Sequence, residues 1–131
     1  MKLPDWQKRF SDFGKARASM PFAWGSNDCC TFAAAAVQAM TGKDPMAGIP
    51  PYDNALAAAR LIEEGGGLKA LATSLLGEPV APVMASVGDV VLVLNDGREA
   101  LGICNGTAVA GAGPEGMVFI GLDNVLAVWK I

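Results

Sequence analysis

A cysteine placed where a helix should begin is the residue of this chain best suited to chemistry. Cys29 follows Asn27 and Asp28, either of which can cap the helix that the next residues predict. A thiol in a first helical turn lies near unpaired N–H groups and the positive end of the helix dipole, and both favour the nucleophilic thiolate. The pattern therefore predicts a favoured thiolate at Cys29 wherever water reaches it. The alternative is that Cys29 and Cys30 are small buried apolar side chains.

The chain contains no histidine, which limits what this thiol can do. The absence excludes the Ser-His-Asp triad, the Cys-His dyad and every histidine-ligated metal site. Zinc or an iron–sulfur cluster could in principle use Cys29, Cys30 and Cys104. We expect adjacent thiols in a helix to splay apart, and the usual Cys-x-x-Cys spacing is missing. The sequence therefore predicts neither a metal site nor a cofactor.

The elements that must position Cys29 are predicted to be helices. Residues 1–18 indicate a short amphipathic helix, with apolar side chains at spacings of three and four. The helical part, residues 19–78, contains predicted helices over 29–40, 53–64 and 68–76. Glycines follow each of these three and are typical helix terminators.

After residue 83 the pattern changes to that of an antiparallel sheet, predicted for 83–131. Val87–Leu94 is rich in β-forming residues, Asp96-Gly97 is a strong hairpin signal, and Glu99–Cys104 is the return strand. Further strands are predicted over 107–110, 117–120 and 125–131. Helices followed by about five antiparallel strands indicate a single α+β domain over 1–131.

Composition and charge narrow the class of partner. The chain is 52% hydrophobic and 18% charged, which excludes intrinsic disorder, and its net charge of −3 argues against nucleic acid. No apolar run is long enough to predict a membrane segment. The first 17 residues carry a local charge of +3. Their helix either packs on its own domain with a solvated basic face or docks on a partner through Trp6, Phe10 and Phe13.

The segment around Cys29 resembles the nucleophile motif of the NlpC-type, papain-like cell-wall peptidases. It resembles still more closely a class of bacteriophage and prophage tail proteins related to them. Cys30 and Thr31 stand where Ser and Gly are usual. The matching residues are Phe22, Trp24, Gly25, Asp28, Cys29 and Phe32.

Two strands and the chain end extend this resemblance. The run Val87–Val91 is similar to the family's Gly-Asp strand through Gly88 and Asp89, and Ala100–Ile103 to the strand that opens with the catalytic His. Leu126–Ile131 is similar to the Ala-Trp-basic ending of the phage group. The resemblance implies a papain-like fold with N-terminal helices packed on the sheet.

The chain differs from the family at the position of the general base. The resemblance places Cys29 in the nucleophile position and Ala100 in the base position, with a third polar residue expected near Val109, Ala110 or Gly111. None of these side chains can accept a hydrogen bond. A slip of one residue brings Glu99 opposite Cys29, but we expect strand alternation to turn it to the other face. The resemblance thus implies a site that has lost its catalytic pair.

Three functions compete. The first is a structural or assembly component of a phage tail tip, made in the bacterial host cytoplasm and located in the virion among other tail proteins. The second is an active cysteine peptidase or amidase on peptidoglycan with an unconventional base. The third is a cytosolic protein-binding module. The absence of histidine favours the first over the second.

Overall fold

The computed structural model describes residues 1–131 as four α-helices followed by five β-strands. The helices are α1 (Trp6–Arg17), α2 (Cys29–Thr41), α3 (Ala55–Glu64) and α4 (Leu68–Leu76). The strands are β1 (Val90–Asn95), β2 (Arg98–Cys104), β3 (Val109–Gly113), β4 (Gly116–Ile120) and β5 (Val125–Trp129). The predicted α+β class, with helices first and an antiparallel sheet second, is confirmed. None of the helices has the length and apolar character needed to span a membrane.

The five strands form one antiparallel sheet in the order β4-β3-β2-β1-β5. Strand β1 pairs with β2 along its whole length, with Leu92 opposite Leu101. Strand β2 pairs with β3 only at Ile103 and Cys104. The amino-terminal half of β2 therefore has no ladder partner on the β3 side.

The two faces of the sheet support separate apolar clusters. On the face toward α2, Leu101 and Ile103 of β2 pack with Phe32 and Met40 of the helix. The opposite face is lined mostly by valines from β1, β3 and β5, and the residues of β1, β2 and β3 alternate between the two clusters as a pleated backbone requires. The buried residues of this second cluster are Val91, Val93, Cys104, Val109, Val125 and Val128.

Helix α1 packs on its own domain. The side chains of Trp6, Phe10 and Phe13 are half-buried against the first cluster, and the Phe13 and Phe32 ring centroids lie 5.2 Å apart. The contacts that these three side chains could offer a partner are therefore partly used within the chain.

Several element boundaries differ from the prediction by one to three residues, and the differences at the starts of β1 and α3 have a local cause. Strand β1 begins at Val90 instead of Val87, because Gly88 adopts a φ of +92° that interrupts the extended backbone. Helix α3 begins at Ala55, because the Asn54 side chain accepts the Ala57 N–H and so acts as its cap.

Candidate functional site

Cys29 is the first residue of α2, as the sequence predicts, and Asp28 is the cap. The Asp28 Oδ1 atom accepts the Thr31 N–H at 2.8 Å, while the Thr31 hydroxyl accepts the Asp28 N–H at 2.8 Å. This reciprocal capping box fixes the first turn of the helix. Asn27, the other candidate cap, instead binds Arg17 through its Oδ1.

The second oxygen of Asp28 joins the helix start to two distant segments. Oδ2 accepts the Gly25 N–H at 2.9 Å and the Tyr52 hydroxyl at 2.6 Å. Asp28 is only 2% exposed, and its buried carboxylate accepts hydrogen bonds from four neutral donors. These donors are the N–H and hydroxyl of Thr31, the Gly25 N–H and the Tyr52 hydroxyl. Burial and then this bond to Asp28 raise the pKa of Tyr52, which keeps the phenol protonated as a donor.

Gly25 lies directly beneath the Tyr52 backbone. Its φ is +81°, and a Cβ at this position would stand 1.7 Å from the Tyr52 carbonyl oxygen. Only glycine permits both the conformation and the approach. The Trp24-Gly25 turn and the residue 50–53 segment are therefore held together at the start of α2.

The Cys29 thiol is half-buried and has three hydrogen-bonding groups nearby. Its Sγ lies 3.9 Å from the Cys30 Sγ, and the backbone N–H groups of Leu101 in β2 and of Cys30 also interact with it. The hydrogen bond with Cys30 is the largest cause of a lowered pKa at Cys29; burial and the Asp28 charge act in the opposite direction. The same bond, together with burial, raises the pKa of Cys30. The pair therefore favours one thiolate, on Cys29, and one protonated thiol.

The expectation that the two adjacent thiols splay apart is wrong. The two sulfurs lie 3.9 Å apart in the first turn of α2, although neighbouring helical positions are separated by about 100° around the axis. Cys104 is buried in the second cluster, across the sheet from Cys30. The structure contains no group of three or more His, Cys, Asp or Glu side chains that could hold a metal ion.

Ala100 does not face Cys29. Its side chain packs on the second cluster, because α2 lies against the face that carries Leu101 and Ile103. The expected facing of Ala100 and Cys29 is therefore wrong. Strand alternation instead places Glu99, which is exposed, on the α2 face, so the expectation that it turns away is wrong as well.

The expected third position of a catalytic site is also apolar. Ala110 packs on the α2 face, whereas Val109 belongs to the second cluster and Gly111 has no side chain. No imidazole, amide or carboxylate is supplied by these three residues.

The Gly88-Asp89 pair lies away from the thiol. Leu101, beside Cys29, pairs with Leu92, and Asp89 is three residues further along, a distance of about 10 Å. Asp89 is 1% exposed, and its carboxylate accepts bonds from Lys130 Nζ, the Ile131 N–H, and the N–H and hydroxyl of Ser86. This network fastens the last residues of the chain to the start of β1.

Trp24 projects from the turn that precedes the site. It is 43% exposed, and its ring packs edge-on against Phe22 with centroids 4.7 Å apart. Behind Cys30, an apolar cavity of about 30 Å³ separates α2 from α4 and β2. A space of this size is far smaller than the usual small-molecule site.

Sequence reasoning missed three participants. The Thr31 hydroxyl could have been recognised, because a residue three positions after an Asp cap is the usual partner in a capping box. Tyr52 is 24 residues from Asp28, and the Leu101 N–H belongs to a strand 72 residues away from Cys29. Neither contact is indicated by the residues that neighbour it in the sequence.

Comparison with known proteins gives a family without an assigned activity. A family model described as a domain of unknown function (DUF6950) matches residues 1–131, and the chain belongs to that family. No curated protein matches the chain.

Proposed function

We propose that this DUF6950 member is a structural or assembly component of a phage tail tip, built on an NlpC-type, papain-like fold that has lost its catalytic base. The observation that carries the proposal is the surroundings of Cys29. A helix-capped thiol rests against an antiparallel sheet, but the neighbouring strand presents Leu101 to it and turns Ala100 away.

The arrangement of elements supports the papain-like part of the proposal. A nucleophile-position cysteine begins the helix that packs on the sheet, and the Gly-Asp strand and its partner lie in the order that the resemblance implies. The motif residues have structural roles that do not depend on catalysis. Asp28 caps α2, Gly25 admits the Tyr52 backbone and Asp89 holds the chain end.

No carboxylate or imidazole is hydrogen-bonded to Cys29, which supports a non-catalytic role. Peptide hydrolysis through a thiol needs a group to accept and return protons, and general acid–base assistance typically supplies about 10²–10⁴-fold in rate. The groups that hydrogen-bond to Cys29 are the Cys30 thiol and the backbone N–H groups of Leu101 and Cys30. None of these can protonate a leaving amine efficiently at neutral pH.

The outer strands offer surface for neighbouring tail proteins. Phe119 of edge strand β4 is 59% exposed, and Leu126 of edge strand β5 is 46% exposed. Exposed apolar side chains on edge strands are suited to pairing with another chain. Helix α1 presents its basic outer face to a partner, while Trp6, Phe10 and Phe13 pack inward.

The assembly proposal is tested in the phage or induced prophage that encodes the gene. Mass spectrometry of purified particles should find the protein, and deletion of the gene should give particles with defective tails by electron microscopy. A chain carrying Cys29→Ala should restore normal tails. Infectious particles that lack the protein would overturn the proposal.

A functioning cysteine hydrolase is the second candidate, and the lowered pKa of Cys29 is the observation that favours it. Zymography on cell-wall peptidoglycan separates the two. We expect no clearing band from the wild-type chain. A band that disappears in Cys29→Ala would establish hydrolysis. The substitution Ala100→His should produce little hydrolytic activity, because the side chain at position 100 packs on the second cluster.

A further inference from the structure

The adjacent cysteines form a chemical site that the assembly role does not use. Cys29 is half-buried and Cys30 is 7% exposed, and their sulfurs lie 3.9 Å apart. We propose that this pair is a dithiol oxidation site, at which a hydroperoxide oxidises Cys29 and Cys30 converts the product to a disulfide.

The roles of the two thiols follow from their positions. Cys29 is the more exposed of the two residues and lies at the helix N-terminus beside the Leu101 N–H, so its thiolate is the one that meets a peroxide. Cys30 is covered by the apolar cluster that includes Phe32 and Leu101, so bulk oxidant reaches it poorly. It is nevertheless in contact with the one sulfur that it must attack.

The reaction needs one hydroperoxide molecule as its only co-reactant. The Cys29 thiolate attacks the terminal peroxide oxygen, forming an S–O bond and breaking the O–O bond, and an alcohol or water leaves after taking a proton. The Cys30 sulfur then attacks the Cys29 sulfur. The S–S bond forms, the S–O bond breaks, and hydroxide leaves with the Cys30 proton as water.

Closing this disulfide must deform the first turn of α2. The sulfurs have to approach by about 2 Å, and adjacent Cα atoms are closer than those of ordinary disulfides. A bond of this kind is strained, and strained disulfides are the easily reduced, regulatory ones. The first turn also holds the capping box on Asp28, so oxidation should loosen the bond between Asp28 and Tyr52.

Peptide mass spectrometry tests the site directly. Trypsin releases Cys29 and Cys30 together in residues 18–43 and Cys104 separately in residues 99–130. After one equivalent of hydrogen peroxide, residues 18–43 of the wild-type chain should be two hydrogens lighter. No disulfide between two chains should form, and a thiol reductant should restore the original mass of residues 18–43.

Variants identify the role of each thiol through dimedone, which traps sulfenic acids. Cys30→Ala and Cys30→Ser should each accumulate several-fold more dimedone adduct on Cys29 than the wild type does. Cys104→Ser, the matched control, should behave as the wild type does. Equal trapping with and without Cys30, equal oxidation of Cys104, or no oxidation of residues 18–43 would each overturn the proposal. Because none of these readouts concerns tails, they are independent of the assembly role.

Discussion

Asp28 and Asp89 are both buried carboxylates, yet their surroundings differ in charge. Asp28 is held by four neutral donors at the start of α2, whereas Asp89 accepts from the Lys130 ammonium as well as from neutral groups. Both belong to motifs that, by resemblance, suggest an active site. In each case the side chain holds segments of the chain together, so a motif residue can have a structural role whether or not it takes part in a reaction.

The largest expected effect comes from removing the charge of Asp89. Asp89→Asn should lower the free energy of unfolding by about 3 kcal/mol, because a buried group with a cationic partner loses its charge and turns an amide toward donors. Chemical denaturation measures the change. Asp12→Asn in the exposed pair with Lys8 is the control and should leave stability unchanged. Equal effects would remove the contrast between buried and exposed carboxylates.

Acid should act on the same carboxylate. Burial tends to raise the pKa of Asp89, but hydrogen bonds from Lys130, the Ile131 N–H and Ser86 outweigh it and the pKa is lowered. Stability from a lowered pKa is fully present above the unfolded value of about 3.9 and is lost as the pH falls through the folded value. Urea midpoints should therefore fall below about pH 4. The fall should be shallower in Asp89→Asn, and parallel curves would show that other groups control acid unfolding.

Removing the neutral network should cost less. Asp28→Ala should lower the free energy of unfolding by about 2 kcal/mol, because α2 loses its cap while the Gly25 N–H and the Tyr52 hydroxyl lose their acceptor. Asn54→Ala removes a cap at the exposed start of α3 and should cost about 1 kcal/mol. A smaller loss at Asp28 than at Asn54 would contradict the role of the buried network.

The smallest change isolates one bond of that network. Tyr52→Phe should cost about 1 kcal/mol, since Asp28 keeps its other three donors and the ring keeps its packing. Thermal unfolding of the single variants and of the double variant with Asp28→Ala measures the coupling. Strict additivity of the two substitutions would mean that the hydroxyl and the carboxylate do not interact in solution.

The sequence predicted the features that depend on neighbouring residues. The cap and first turn at Cys29 follow from Asn27 and Asp28, and the hairpin at Asp96-Gly97 follows from two residues that accept positive φ, found at 51° and 76°. The α+β order also follows from the change of period.

The errors concern packing between distant segments. The facing of Ala100 was wrong, because alternation along β2 leaves open which face α2 covers until Leu101 and Ile103 are seen to pack on it. The contact between Cys29 and Cys30 depends on side-chain rotamers, and the bond from Tyr52 depends on how the chain returns after α2. Local spacing contains none of this information.

The close approach of Gly25 to the Tyr52 backbone also bears on how sequence variation in this family should be interpreted. Any relative in which the two segments pack this closely must keep glycine at position 25, because a methyl group there would overlap the Tyr52 carbonyl oxygen. Evolutionary constancy at this position would thus arise from steric exclusion, whether or not the neighbouring thiol ever reacts. Substitution of Cys29 in a relative that keeps Gly25 would show that the close approach of the two segments does not depend on the thiol.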